Sequence, residues 1–128
     1  MADTRELDMD HLLAMTGGDA DLAEEVIGIF RHQVDMWARM LDPTAPASQW
    51  ADAAHTLKGA ALSIGANELA ERCSEAEQAG RDLPPSPAGA ALLLGAVKDE
   101  IGLTLEACGR AVHRLSRPGF RASKASNS

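Results

Sequence analysis

Reactive side chains in this 128-residue chain converge on one stretch, Ala54-His55-Thr56-Leu57-Lys58-Gly59-Ala60-Ala61-Leu62-Ser63-Ile64-Gly65-Ala66. Three residues in it combine into a chemistry. His55 offers a nucleophilic ring nitrogen, Lys58 places a cation one turn on, and Gly59 removes the side chain that would stand over the ring at i+4. Residues three and four apart on a helix are neighbours, with roughly 5–6 Å between their Cβ atoms. An accessible nitrogen beside a positive charge suits a group that accepts and passes on a phosphoryl. That group carries negative charge on its equatorial oxygens, so the protein has mainly to position and neutralise it.

The helix that must present these groups is legible from its period. Trp50, Ala53, Ala54, Leu57, Ala61 and Ile64 recur at helical spacing and define one apolar face. His55 lies about 140° around from Trp50 and is expected to face solvent, with Ala51, Lys58, Gly59 and Leu62 on its side. Gly59 is the unusual choice. Inside a helix it costs about 1 kcal/mol relative to alanine, which this sequence uses freely. Its missing side chain is expected to open a slot through which a second protein can reach the imidazole.

Four other helices frame this one. Asp8 caps a short helix with Met9, Leu12, Leu13 and Met15, ending at Thr16-Gly17-Gly18. Asp19 or Asp21 caps a long second helix with the stripe Leu22, Val26, Ile29, Phe30, Gln33, Val34, Trp37, Met40 and Leu41. Asp42-Pro43-Thr44-Ala45-Pro46 breaks it. Ser48 is the expected cap of the histidine helix, which closes at Gly65. A fourth helix starts near Asn67, turns Leu69, Ala70, Cys73, Ala76 and Glu77 inward, and stops at Gly80. Beyond Pro84-Pro85, Ser86 as cap with Pro87 at the first helical position opens a fifth helix of about 28 residues, with Ala90, Leu93, Leu94, Val97, Ile101, Leu105, Cys108, Val112 and Leu115 inward. No alternating strand pattern and no repeat is present. The expected fold is all-α: an antiparallel up-down four-helix bundle with a short extra N-terminal helix packed across one end. Residues 1–6 read as a flexible lead-in, 7–116 as the bundle and 117–128 as a disordered tail.

Composition narrows the function. A net charge of −7 argues against nucleic acid, which requires a basic face. No apolar run reaches the roughly 18–20 residues of a membrane span, and the acidic, polar start does not read as a signal peptide. Cys73 and Cys108 fall at apolar helix positions and read as reduced core thiols, so a cytoplasmic domain is expected. His11, His32 and His113 read as solvated or helix-end residues. No two histidines share i, i+4 spacing, so no metal site is expected. Gly-x-Ser-x-Gly and Gly-rich phosphate loops are absent, and Ser63 points away from His55. A phosphoryl group on His55 must therefore come from another protein.

The His55 stretch, the upstream run Leu7-Asp8-Met9-Asp10-His11-Leu12-Leu13-Ala14-Met15-Thr16-Gly17-Gly18-Asp19, and Leu69-Ala70-Glu71-Arg72-Cys73 with Glu77 resemble histidine-containing phosphotransfer (HPt) domains over roughly residues 7–115. The resemblance implies a bundle whose exposed histidine shuttles phosphoryl groups between receiver-domain aspartates in a bacterial-type multistep phosphorelay. By that carry-over His55 is phosphorylated, Lys58 stabilises the phosphoryl group and Gly59 clears the approach. Some members orient the imidazole with a glutamine on the next helix; here that region reads Glu77-Gln78, and either is a candidate. The Mg²⁺ of such transfers belongs to the receiver, so no cofactor is expected on this chain. Implied partners are a response regulator receiver domain and a histidine kinase or hybrid kinase. Ala51, His55, Gly59 and Leu62 form the expected docking strip, with parts of the second and fourth helices at its rim. A monomer is expected if that strip is the only exposed patch. Met1 and the polar tail suggest a free-standing protein. Two other readings compete: a non-transferring receiver-binding module on the same fold, and an unrelated structural bundle.

Overall fold

The computed structural model describes residues 6–117, and within them every regular element is helical. The lead-in and tail expected at the chain ends lie almost wholly outside the described residues. In order the helices are α1 (Met9–Met15), α2 (Ala20–Arg39), α3 (Ala47–Ser63), α4 (Asn67–Asp82) and α5 (Pro87–Leu115). The four long ones pack in a ring in which α2 meets α3, α3 meets α4, α4 meets α5 and α5 returns to α2. Short connections force consecutive helices to run antiparallel, which gives the up-down bundle.

Several starts and stops follow local chemistry as expected. Asp8 caps α1 by accepting from the His11 N–H, Asp19 caps α2 by accepting from Asp21 and Leu22, and Ser86 caps α5 by accepting from Gly89. Two expectations are corrected. Ser48 does not cap α3, because Pro46, with φ already near helical values, stands at the boundary and the helix begins at Ala47 without a side-chain cap. Gly80 does not end α4, which runs on to Asp82. Its role is packing: a Cβ there would lie 2.8 Å from Cζ3 of Trp50 and 3.0 Å from Cβ of Ala51. The bare backbone lets α4 close onto α3.

Leu57, Ala61, Ile64 and Trp50 of the α3 region are buried with Leu69, Cys73 and Ala76 of α4 and Leu94, Val97, Cys108 and Leu115 of α5. The inward face of α2 differs from the expected stripe. Ala20, Ala23, Ile27, Phe30 and Val34 are buried, whereas Leu22, Ile29, Gln33 and Met40 are exposed. Small alanines let α2 approach its neighbours closely, and the large aliphatics of the other arc are left outside.

Short α1 is tied to the C-terminal end of α3. The Asp8 N–H donates to the Gly65 carbonyl at 2.9 Å, and His11 Nε2–H donates to the Leu62 carbonyl at 3.0 Å. His11 remains exposed and, as expected of a helix-end residue, clamps α1 to α3. Gly65 has φ +74°, and a Cβ on it would sit 2.7 Å from the Asp8 carbonyl oxygen. Left-handed backbone costs a residue other than glycine about 1–2 kcal/mol before any clash. Gly65→Ala is therefore expected to destabilise the bundle by about 2 kcal/mol or more, read as a lowered urea midpoint; an unchanged midpoint would refute the contact.

Candidate functional site

His55 leaves α3 on its outer side, with 63% of its side chain exposed. Its ring does not hang free. Nδ1 lies 3.0 Å from Oε2 and 3.2 Å from Oε1 of Glu77 on α4. An ionised carboxylate only accepts, so Nδ1 carries the proton and donates it to Glu77. In the neutral ring Nε2 then holds the lone pair. A helix-borne carboxylate has selected both the tautomer and the ring direction. Glu77 reaches this position because α4 packs on α3 through Leu69, Cys73 and Ala76, leaving the next residue along at the seam. Gln78 is exposed, on the outer side of the same helix. Of the two candidates, Glu77 is the one within hydrogen-bond reach of His55.

Glu77 is the hub of a wider network. Lys58 Nζ lies 3.4 Å from Oε1, and Arg81 Nε donates to Oε2 at 3.3 Å. Arg81 also reaches back to α3, where Nη2 donates to Asp52 Oδ1 at 2.8 Å. Two cations and the imidazole thus share one carboxylate whose side chain is only 17% exposed. That partial burial alone would push the Glu77 carboxyl up, but hydrogen bonds from His55 and Arg81, with the charges of His55 and Lys58, outweigh it. The carboxyl is held below its ordinary value. A depressed carboxyl keeps its partners as pH falls through the usual carboxylate range and releases them only below it.

Gly59 lies one turn on from His55, and a Cβ placed there would meet nothing within 4 Å. The fold does not require glycine at this position. Leu62 is 47% exposed and continues the strip. Ala51 does not belong to it. Ala51 is fully buried under α4 at Gly80, and its place in the expected docking strip is withdrawn. The open arc of α3 begins at His55 and turns toward Gly59, away from the α4 seam.

Further apolar side chains are exposed on α1 and α2. Glu24 of α2 accepts from Ser116 beyond α5 at 3.3 Å, which marks the α5 side of α2. Leu22 and Ile29 stand about 140–160° around the helix from Glu24. Both are exposed, as is Met15 at the end of α1. Sequence periodicity had turned these α2 residues inward. Their signal was available in the second apolar arc made by Ala20, Ala23 and Ile27.

Both cysteines lie in the core, where burial pushes the thiol of Cys73 up to about 12 and that of Cys108 up to about 11. They remain protonated at neutral pH and supply no nucleophile. Among the described residues no helix is long and apolar enough to cross a membrane.

The family model described as Hpt domain matches residues 20–104, from the start of α2 into α5. That span includes His55, Lys58, Gly59 and Glu77 and leaves α1 outside. Neither a curated protein nor a solved structure matches the chain significantly.

Proposed function

This chain belongs to the Hpt domain family, whose members carry out histidine phosphotransfer in phosphorelays, and on that premise we propose that His55 is the residue phosphorylated here. The observation that carries the proposal is the Nδ1–H bond to Glu77, which in the neutral ring puts the lone pair on Nε2. In the forward step the Nε2 lone pair attacks the phosphorus of a receiver's aspartyl phosphate. The Nε2–P bond forms, the P–O bond breaks, and its electron pair leaves on the aspartate carboxylate. The ring keeps its Nδ1 proton and becomes cationic. Glu77 stabilises that charge, as a buried carboxylate does for a working imidazolium. Lys58 neutralises the phosphoryl oxygens. Reversal onto a second receiver aspartate completes the relay, and the Mg²⁺ of the reaction is the receiver's.

The receiver docks over His55, Gly59 and Leu62 and spreads onto Leu22, Ile29 and Met15. Transfer requires the partner to leave, which favours a small interface of this kind. Ile29→Asp is expected to weaken receiver binding about tenfold, equal to about 1.4 kcal/mol, without lowering thermal stability, because Ile29 is more than half exposed. Titration calorimetry with a receiver domain checks this; unchanged affinity would remove α2 from the interface. The chain works as a cytoplasmic intermediate supplied by a hybrid kinase or its receiver.

The deciding experiment is phosphoryl acceptance from a phosphorylated receiver, with the modified residue mapped by mass spectrometry. Acid-labile, base-stable label on His55 is the expected result. Binding without label would indicate a module that only sequesters receivers, and neither binding nor label an unrelated bundle.

A further inference from the structure

Arg81 has no part in the transfer described so far, yet it is tied to both sides of the site. We propose that Arg81 is a positioning residue that holds Glu77 against His55 while Lys58 leaves Glu77 for the phosphoryl group, an inference that rests on His55 being the accepting residue.

The argument begins with the charge count around one carboxylate. Before transfer, Glu77 is within 3.4 Å of Lys58 Nζ at Oε1 and accepts from Arg81 Nε at Oε2. A phosphoryl group on Nε2 is a stronger draw for the lysine than a shared monoanion, because it presents several charged oxygens. Lys58 sits on the helix that carries His55 and ends in a flexible four-carbon stem with rotatable donors, so it can change partner without moving the backbone. Were Lys58 the only other cation on Glu77, its departure would leave the ring as the sole partner of the carboxylate, beside an incoming dianion. Nothing on the far side of the carboxylate would then restrain it against rotating away from the ring.

Arg81 prevents that because it is anchored twice. It projects from α4 one turn beyond Glu77, and its far nitrogen Nη2 is fixed at 2.8 Å from Asp52 on α3. Guanidinium geometry lets one planar group face two carboxylates at once. The ion pair with Asp52 is exposed on both sides, and such pairs add little to stability. Its consequence is directional: the Nε edge is aimed at Glu77 Oε2, the oxygen nearest to Nδ1 of His55.

An amide at position 77 could accept the same Nδ1–H without needing a counter-ion, so the effect of Arg81 must depend on the charge of residue 77. This dictates a double-mutant cycle of Arg81→Ala and Glu77→Gln. Arg81→Ala alone is expected to slow acceptance about tenfold, equal to about 1.4 kcal/mol of barrier. In the Glu77→Gln background the same change should have little effect. Equal losses in both backgrounds would overturn the proposal and assign Arg81 to docking.

A second readout is independent of transfer. Nitrogen-15 NMR of the His55 ring in a Lys58→Ala protein, where only Arg81 still holds Glu77, is expected to show Nδ1–H as the dominant neutral tautomer, with its share falling when Arg81→Ala is added. An unchanged tautomer ratio would overturn the positioning role. If the unmodified protein accepts no phosphoryl group, the relay reading fails, while the tautomer measurement still decides whether Arg81 positions Glu77.

Discussion

His55→Gln is expected to take up no phosphoryl group from any phosphorylated receiver and to melt within a few degrees of the unmodified protein. Glutamine has no ring nitrogen to attack phosphorus, so the loss is complete rather than graded. The fold tolerates the change because His55 is mostly exposed, and exposed substitutions away from caps and cores are usually within about 0.5 kcal/mol of neutral. Glu77 is not orphaned either, since Lys58 and Arg81 continue to compensate it. Radiolabel from a receiver, challenged with acid and base, measures the first half and a circular-dichroism melt the second. Label on the His55→Gln protein would place the accepting group elsewhere.

The next largest effects belong to Gly59, where stability and transfer should move in opposite directions. A Cβ at this position meets nothing within 4 Å, so Gly59→Ala introduces no clash and is expected to raise stability by about 1 kcal/mol through helix propensity alone. Gly59→Trp should also fold, because its side chain projects into solvent from a helix whose buried face is untouched. It would stand over the imidazole and against any docked partner. Acceptance is expected to drop roughly hundredfold, about 2.7 kcal/mol of lost docking and transition-state stabilisation. Paired melts and single-turnover transfer rates test both. A Gly59→Trp protein that accepts phosphoryl at the normal rate would show that access to His55 does not depend on this slot.

Much of this molecule could be read without coordinates because the relevant rules are local. Helix period placed Trp50, Leu57, Ala61 and Ile64 inward and His55 outward. Cap chemistry placed Asp8, Asp19 and Ser86-Pro87 at helix starts. Lys58 and Gly59 stand beside His55 by spacing along one helix, which no tertiary contact is needed to establish. The same periodicity is silent on how each helix is rotated against its neighbours and how closely it approaches them. Those were decided by small residues at the seams. Gly80 lets α4 cover Ala51, which removes that residue from the surface, and Ala20 and Ala23 turn α2 so that Leu22 and Ile29 face out. Only packing brings Glu77 to His55 across 22 residues and Arg81 to Asp52 across 29. The proposed nucleophile and Lys58 were therefore written in one helix, whereas the carboxylate that holds the ring stands beside it only once α4 lies against α3.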